Sequence, residues 1–245
     1  MEKEMQMQKY IAVGCVLALS GGAFANVRVI HGSPDTPAVS VFVDGGNTVG
    51  SPVTGSPVIP SLSFRQDSGY LAVPSGDYTF KVTPEADPSL VAIDAFASID
   101  ENIPVSVIAI DFLANVRPVI LVDNRTTNPS VAQLRLGHFV PDAGAVNILV
   151  NGSSFLTDVE FEDVTGYFEL APGFYDIRVV DAVSNAVLQD IPGLELIANT
   201  NVSAFALGSV AGETFGVSVF VDAVPAPGTA ALLGFAGLAA VRRRR

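Results

Sequence analysis

The sequence VRVIHGSPDTPAVSVFVDG, residues 27–45, occurs twice in this chain in recognisable form. Residues 134–152 read LRLGHFVPDAGAVNILVNG. A histidine, a Pro-Asp pair, an Ala-Val pair and the final glycine coincide without a gap, so that His31 and His138 lie 107 residues apart. Matched residues at matched spacing indicate a chain built from two copies of one module.

Two further blocks repeat at a shorter offset of 97 residues. GDYTFKV at residues 76–82 matches GFYDIRV at 173–179, and VSVIAI at 105–110 matches VSAFAL at 202–207. The change of offset predicts an insertion of about ten residues between the first and second blocks of copy one. The segment Gly45–Pro60, which is rich in glycine, proline and serine, fits that insertion.

The repeated blocks alternate between apolar and polar residues and are separated by Pro- and Gly-containing turns. A period of two with β-branched and aromatic residues is typical of strands with one buried face. We therefore predict an all-β fold of two tandem immunoglobulin-like β-sandwich modules with roughly seven strands each, plus an N-terminal signal helix and a short C-terminal transmembrane helix. The predicted modules are residues 26–124 and 131–223, joined by a linker at 125–130.

Both copies of the repeat resemble the DUF4397 domain, which is found in exported and surface proteins of bacteria. The similarity lies in VRVIHGSPDTPAVSVFVDG with PSGDYTFKV, and in LRLGHFVPDAGAVNILVNG with APGFYDIRV. It covers nearly the whole region between the two ends of the chain. The family has no assigned function, so the resemblance implies a fold and a location and no catalytic residues.

Residues 1–25 have the pattern of a secretory signal peptide. Lysines precede a short apolar run, and Ala23-Phe24-Ala25 has the small residues that signal peptidase requires, so we predict cleavage between Ala25 and Asn26. The apolar run is too short to cross a bilayer, for which about 20 residues are needed. The alternative is a buried N-terminal helix.

The C-terminus, residues 224–245, has three parts. Pro225-Ala226-Pro227 precedes the uncharged stretch 228–241, and the chain ends in Arg242, Arg243, Arg244 and Arg245. The arginines favour a cytoplasmic end for a short transmembrane helix. This tail resembles the PEP-CTERM sorting signal of Gram-negative bacteria that make exopolysaccharide, with Ala226 where the family has glutamate. The resemblance implies cleavage by an exosortase, and the alternative is a plain short membrane anchor or amphipathic tail.

The region between the two terminal segments is strongly acidic, with 7 basic and 23 acidic residues. Such an excess argues against binding to nucleic acid or to an anionic polysaccharide through a basic patch. It is compatible with solubility outside the cell and with divalent cations. Cys15 is the only cysteine, so the exported chain would contain no disulfide.

The only two histidines occupy equivalent positions, each before a Pro-Asp pair. His31 with Asp35, and His138 with Asp142, are therefore weak candidates for ligands of a metal or a small molecule. The other interpretation is that each histidine caps a strand and each aspartate accepts hydrogen bonds within a turn. A zinc site normally has three or four protein ligands, so we predict no metal site and no cofactor.

No catalytic motif is evident, because the chain has no nucleophile elbow, no phosphate-binding loop and no pair of carboxylates that can be singled out. We predict a non-enzymatic cell-surface or extracellular-matrix protein, sorted by an exosortase and associated with exopolysaccharide or the envelope. Its expected partners are signal peptidase, an exosortase-like enzyme, exopolysaccharide and, before processing, the membrane. The alternatives are a carbohydrate- or calcium-binding module and a hydrolase.

Overall fold

The computed structural model describes residues 26–45 and 48–223, and most of this part of the chain is β-strand. A single turn of 3-10 helix lies at Leu113–Asn115. The first half contains β1 (Val27–His31), β2 (Val39–Gly45), β3 (Ile59–Leu62), β4 (Asp67–Leu71), β5 (Gly76–Pro84), β6 (Ile93–Ile99), β7 (Val105–Ile110) and β8 (Arg117–Val122). The second half contains β9 (Ala132–Phe139), β10 (Val146–Val150), β11 (Ser153–Val159), β12 (Phe168–Leu170), β13 (Gly173–Asp181), β14 (Val187–Leu196), β15 (Thr200–Leu207) and β16 (Gly216–Ala223).

Each half is a sandwich of two four-stranded sheets. In the first half, the inner sheet has the order β4-β1-β7-β8 and the outer sheet has the order β3-β2-β5-β6. In the second half, the inner sheet is β12-β9-β15-β16 and the outer sheet is β11-β10-β13-β14. Neighbouring strands are antiparallel except in the pairs β1–β7 and β9–β15, which are parallel.

The connection between β2 and β3 accounts for the predicted insertion. β2 ends at Gly45 and β3 begins at Ile59, whereas β10 ends at Val150 and β11 begins at Ser153. The second half closes this hairpin with Asn151 and Gly152, both of which have positive φ. Asparagine and glycine tolerate that conformation, which a two-residue hairpin turn requires.

The central strands of the inner sheets are buried on both faces. All five residues of β1 and all eight residues of β9 are buried. One face of each inner sheet packs on its own outer sheet, and the other packs on the inner sheet of the other half, where Ile30 and Ile108 meet Phe139 and Phe205. The described chain is thus a stack of four sheets in the sequence outer, inner, inner, outer.

The prediction of an all-β chain with two β-sandwiches is confirmed, but the immunoglobulin strand order is not observed. An immunoglobulin constant domain has seven strands, ordered ABED and CFG, whereas each half here has eight strands in two sheets of four. Alternation in the sequence indicates which side chains are buried, but it does not say which strands pair. The pairing of β1 with β7 joins residues about 78 positions apart, and local patterns do not encode a contact over that distance.

The predicted signal helix and the predicted transmembrane helix at 228–241 lie outside the described residues. Within residues 26–45 and 48–223, no helix combines the length and the apolar character needed to cross a membrane.

Candidate functional site

The two histidines are buried at equivalent places and contact backbone. His31 and His138 are each 1% exposed. The Nε2 atom of His31 lies 3.0 Å from the carbonyl oxygen of Pro37, and that of His138 lies 2.8 Å from the carbonyl oxygen of Gly144. Because a carbonyl only accepts, Nε2 carries the proton in both rings. Each histidine therefore holds the loop that follows its own strand.

The two aspartates of the Pro-Asp pairs bind a different loop. The Oδ1 atom of Asp35 accepts a hydrogen bond from the backbone N–H of Leu113 at 2.7 Å. Asp142 accepts bonds from the Ser209 hydroxyl and from the N–H groups of Val210 and Ala211, at 2.6 to 3.0 Å. Burial raises the pKa of Asp142, but these hydrogen bonds outweigh burial and hold the pKa below its ordinary value.

The candidate ligands thus have separate partners. In each copy the histidine bonds to a carbonyl of its own loop, while the aspartate bonds to the loop between the last two strands of the inner sheet. This geometry favours the interpretation of the histidines and aspartates as supports of strand ends and turns. Within the described part of the chain, no group of three or more His, Cys, Asp or Glu side chains could hold a metal ion.

A polar cluster that the repeat pattern did not predict lies between the two inner sheets. Arg28 of β1 is fully buried, and its Nη2 atom lies 2.5 Å from Oδ1 of Asp222, which belongs to β16 in the other half. Its Nη1 atom donates to the carbonyl oxygen of Val221 at 3.2 Å. The Ser106 hydroxyl lies 3.0 and 2.7 Å from Nε and Nη2.

Arg135 makes the reciprocal contacts. Its Nη2 atom lies 2.5 Å from Oδ1 of Asp123 in the first half, and its Nη1 atom donates to the carbonyl oxygen of Val122 at 3.1 Å. The Nε atom of Arg135 donates to the Ser203 hydroxyl at 2.9 Å. Each half therefore provides an arginine to the other half and receives one in return.

Two tyrosines and the two serines complete the carboxylate environments. Tyr70 donates to Oδ2 of Asp123 at 2.7 Å, and Tyr167 donates to Oδ2 of Asp222 at 2.8 Å. Ser106 and Ser203 donate to the same two Oδ2 atoms at 2.6 Å each. The guanidinium groups also stack over the tyrosine rings, Arg28 at 4.8 Å from the centroid of Tyr70 and Arg135 at 4.9 Å from that of Tyr167. We call these eight residues the reciprocal network; they are Arg28, Tyr70, Ser106, Asp123, Arg135, Tyr167, Ser203 and Asp222.

Burial dominates the electrostatics of the reciprocal network. Burial raises the pKa of Asp222 above its ordinary value, against the opposing effects of Arg28 and Ser203. For Arg28, burial lowers the pKa, but Asp222 and Tyr70 outweigh it, so that the pKa is raised. Burial also raises the pKa values of Tyr70 and Tyr167, which therefore remain protonated donors. The arrangement is suited to holding two protein surfaces together.

Two signals in the sequence could have revealed the reciprocal network. Arg28 and Arg135 stand at the same position of the first repeated block, within largely apolar strands, and Ser106 and Ser203 stand at the same position of the third repeated block. A polar residue that recurs within a buried strand requires a buried partner. The partners themselves, Asp123 and Asp222, lie outside the three aligned blocks.

The symmetry between the halves is broken at the edge of the interface. Arg65 and Glu162 occupy equivalent turns, and both have positive φ. Arg65 donates to the carbonyl oxygens of Leu207 and Thr214, whereas Glu162 forms an ion pair with Arg117 of the first half. These contacts add two different cross-links between the halves.

The residues predicted for processing lie mostly outside the described residues. Ala23, Ala25, Pro225, Ala226, Pro227 and the four terminal arginines belong to that group. Asn26 is described, and its buried side chain exchanges two hydrogen bonds with the backbone of Val73, at 3.1 and 2.9 Å. The predicted cleavage would therefore leave an N-terminal residue that is anchored in the first half.

Comparison with known proteins gives one family. The family model described as "Domain of unknown function (DUF4397)" matches twice, over residues 25–147 and 132–240. No curated protein matches the chain. A solved structure of a "putative cell adhesion protein" from Bacteroides uniformis is similar at 11% sequence identity and a TM-score of 0.26, over 81% of this chain and 98% of that chain. That similarity is too weak to support an argument about function.

Proposed function

Because the chain belongs to the DUF4397 family, whose function is unknown, we propose a role that rests on its own architecture. It is an exported, non-enzymatic protein of the cell surface or the extracellular matrix. The observation that carries this proposal is the order of its parts: a signal-like segment at 1–25, a rigid acidic body, and a sorting-like tail at 224–245. The proposed divisions of the body are 26–124, 125–130 and 131–223.

The structure of the body supports a structural role. Apart from Lys81, every Asp, Glu, Lys or Arg that is buried in the described part of the chain belongs to the reciprocal network, in which every member bonds to another. Groups that are buried and mutually bonded hold the two halves in a fixed arrangement and are not presented to a substrate. The body therefore acts as a rigid spacer of two sandwiches.

The charge of the body supports a location in an aqueous, extracellular setting. Acidic residues outnumber basic residues by 23 to 7 between residues 26 and 223, and three of the seven basic residues, Arg28, Lys81 and Arg135, are buried in ion pairs. The carboxylates paired with them are withdrawn as well, so the excess of sixteen acidic residues is unchanged, while only four basic residues lie outside these pairs. Such a surface keeps the protein soluble and favours neutral or cationic partners.

In the proposed route, signal peptidase cleaves between Ala25 and Asn26, and the stretch 228–241 then holds the chain in the membrane with Arg242–Arg245 in the cytoplasm. An exosortase-like enzyme acts near Pro225-Ala226-Pro227 and releases the body to the surface, in contact with neutral exopolysaccharide.

The test is fractionation of a Gram-negative host that contains an exosortase. Deletion of residues 225–245 is expected to move the protein from the surface fraction to a soluble periplasmic fraction, and Ala226→Glu, which introduces the glutamate of the related sorting signals, is expected to speed processing. Mass spectrometry of the mature chain is expected to give Asn26 as its first residue. Val183→Leu, at a residue that is 90% exposed, is the control. An unchanged distribution after the deletion would refute the sorting route.

A further inference from the structure

The interiors of the two sandwiches are filled to different extents. The second half encloses a void of about 40 Å³ between its sheets. The first half contains two crevices, of about 250 and 320 Å³. Since the two halves are copies of one module, the second half shows how this interior looks when it is packed.

The two crevices of the first half enter from opposite edges and reach the same place. One opens between β6 and β8, and the other opens between β3 and β4. Both are lined at their inner ends by Val27, Val29, Val41 and Phe80. The two crevices therefore share a wall in the middle of the sandwich, and together we call them the inter-sheet crevice.

Smaller side chains in the first half create this space. Ala97 lies opposite Tyr78 in the register of β5 and β6, whereas Leu194 lies opposite the equivalent Tyr175 in the second half. Ala95 likewise takes the place of Ile191. Each replacement removes several methyl or methylene groups from a partly buried position.

The same trend holds on the facing strands. Val27 and Val29 stand where the second half has Leu134 and Leu136, and Val58 stands where it has Phe155. Phe155 stacks on Phe168 at 4.9 Å between ring centroids and closes that edge of the second sandwich. Some lining residues are larger in the first half, such as Phe80 in place of Ile177 and Val107 in place of Ala204, and they do not fill the space.

The side chains at the two entrances indicate which kind of ligand the inter-sheet crevice could bind. Among the described residues, Ser98 and Asp100 carry the only polar side chains of the β6–β8 entrance, and the Tyr78 hydroxyl is the only polar side-chain group of the β3–β4 entrance. No lysine or arginine of residues 26–45 and 48–223 lines either entrance, so these residues offer no cation to an anionic head group. Phe96, Ile103 and Ile120, at 44 to 54% exposed, form an apolar rim at the β6–β8 entrance.

We propose that the first half binds an uncharged, elongated aliphatic molecule between its two sheets, and that the second half is the filled copy that supports the fold. An apolar cavity of roughly 150 Å³ is already large enough to bind benzene, and the inter-sheet crevice is larger and open at both ends. Binding of such a ligand is favourable because it removes the apolar surface of the crevice from contact with water. This proposal goes beyond the surface role and does not depend on it.

The test uses the body as exported and the neutral fluorescent probe N-phenyl-1-naphthylamine. We expect saturable binding of one probe per chain, and we expect 1-octanol to displace the probe at a concentration at least tenfold lower than octanoate does. Ala95→Ile with Ala97→Leu, which copies the second half, is expected to weaken probe binding at least tenfold while the melting temperature stays equal or rises. Val183→Leu adds one methylene at an exposed site and is expected to leave binding unchanged.

Three results would overturn the proposal. One is the absence of saturable probe binding to the unmodified protein, and another is equal displacement by octanoate and 1-octanol. The third is undiminished binding in the Ala95→Ile, Ala97→Leu variant with its fold intact. If that variant does not fold, Val29→Leu, which introduces the equivalent of Leu136, takes its place with the same expected loss.

Discussion

At the scale of single residues, the reciprocal network explains why arginine stands within two buried strands. Removal of two charges from water is costly, and a buried ion pair recovers this cost only when its geometry and its remaining hydrogen bonds are good. Arg28 meets that condition through Asp222, Val221 and Ser106. The pair therefore contributes little to net stability, and its main effect is to favour one alignment of the two inner sheets over others.

Although the intact pair contributes little to net stability, removal of one of its members is strongly destabilising, because the other charge stays buried without a partner. Arg28→Met leaves Asp222 without its closest cation, and we expect a loss of about 3–5 kcal/mol in the free energy of unfolding. Addition of Asp222→Asn is expected to restore part of that loss, with a coupling energy of roughly 0.5–3 kcal/mol. Urea denaturation of the two single variants and the double variant measures both quantities.

Arg178 provides the matched control for this double-mutant cycle. It pairs with Asp190 at 3.0 Å, but both side chains are about half exposed, at 50% and 52%. Exposed pairs contribute little, because solvent screens them, so Arg178→Met is expected to have a small effect. If Arg28→Met were no more costly than Arg178→Met, the structural role of the reciprocal network would be wrong.

Individual residues could be interpreted from the sequence where their contacts are local, but not where their contacts depend on the fold. Equivalent positions for His31 and His138 followed directly from the repeat, and the interpretation of the histidines as local supports agrees with their contacts to Pro37 and Gly144. The partnership of Arg28 with Asp222 spans 194 residues. A sequence without coordinates gives no means to join those two positions.

At the scale of elements, the strands differ in how much of their environment the sequence reveals. The alternation of β2 and β5 predicted one buried face for each strand, but residues on the opposite face are buried as well, namely Ser40, Phe42, Thr79, Lys81 and Thr83. The connection between β2 and β3 contacts that face, because Thr48 donates to the Thr79 hydroxyl and accepts from Lys81. Strands β1 and β9 belong to layers covered on both sides, and their burial depends on the second module. The sequence therefore predicted two sandwiches but did not predict that they share an interface.

The loops that follow β1 and β9 provide a prediction about pH. Burial lowers the pKa values of His31 and His138 below the ordinary value, because the charged ring loses solvation. The unfolded chain then binds protons more readily than the folded chain once the pH falls below about 6.5. Stability is thus fully present above that pH and is lost as the pH falls toward the lowered pKa values.

We expect the free energy of unfolding to decrease between pH 7.5 and 5.5, with a slope of up to about 1.4 kcal/mol per pH unit for each histidine. Urea denaturation at several pH values measures the slope. The variant His31→Gln with His138→Gln keeps a donor near each carbonyl and is expected to flatten the curve. Asp222, whose pKa is raised, is present in both proteins and cancels in the comparison. Equal slopes for the two proteins would contradict the prediction.

At the scale of the whole molecule, the two modules resemble two subunits joined by their linker. Arg28 contacts Asp222 while Arg135 contacts Asp123, so the same patch on each half meets its counterpart on the other. This is the self-complementary pattern of an interface with twofold symmetry. The linker keeps the two halves in one chain, so each half always has its partner. The different contacts of Arg65 and Glu162 show that the two copies have since diverged.

The interface also determines how the molecule should unfold. Tandem domains commonly unfold in separate transitions, because each has its own core and few contacts cross the boundary. Here an apolar cluster that includes Ile30, Ile108, Phe139 and Phe205 is shared by both halves, next to four buried charges paired across them. Loss of either half would expose the cluster and leave buried charges without partners. We therefore expect a single calorimetric transition in which the van't Hoff and calorimetric enthalpies agree.

Two variants make this expectation a strict test. Leu134→Ala removes a core side chain from the second half alone, and it should lower the single melting temperature of the whole body, because the first half cannot remain folded by itself. Arg28→Met with Arg135→Met removes one member of each pair across the interface, and it should separate the transition into two. Val183→Leu, at an exposed position, should change neither. If Leu134→Ala produced a second, lower transition and left the first unchanged, the halves would be independent domains, and the reciprocal network would only orient them.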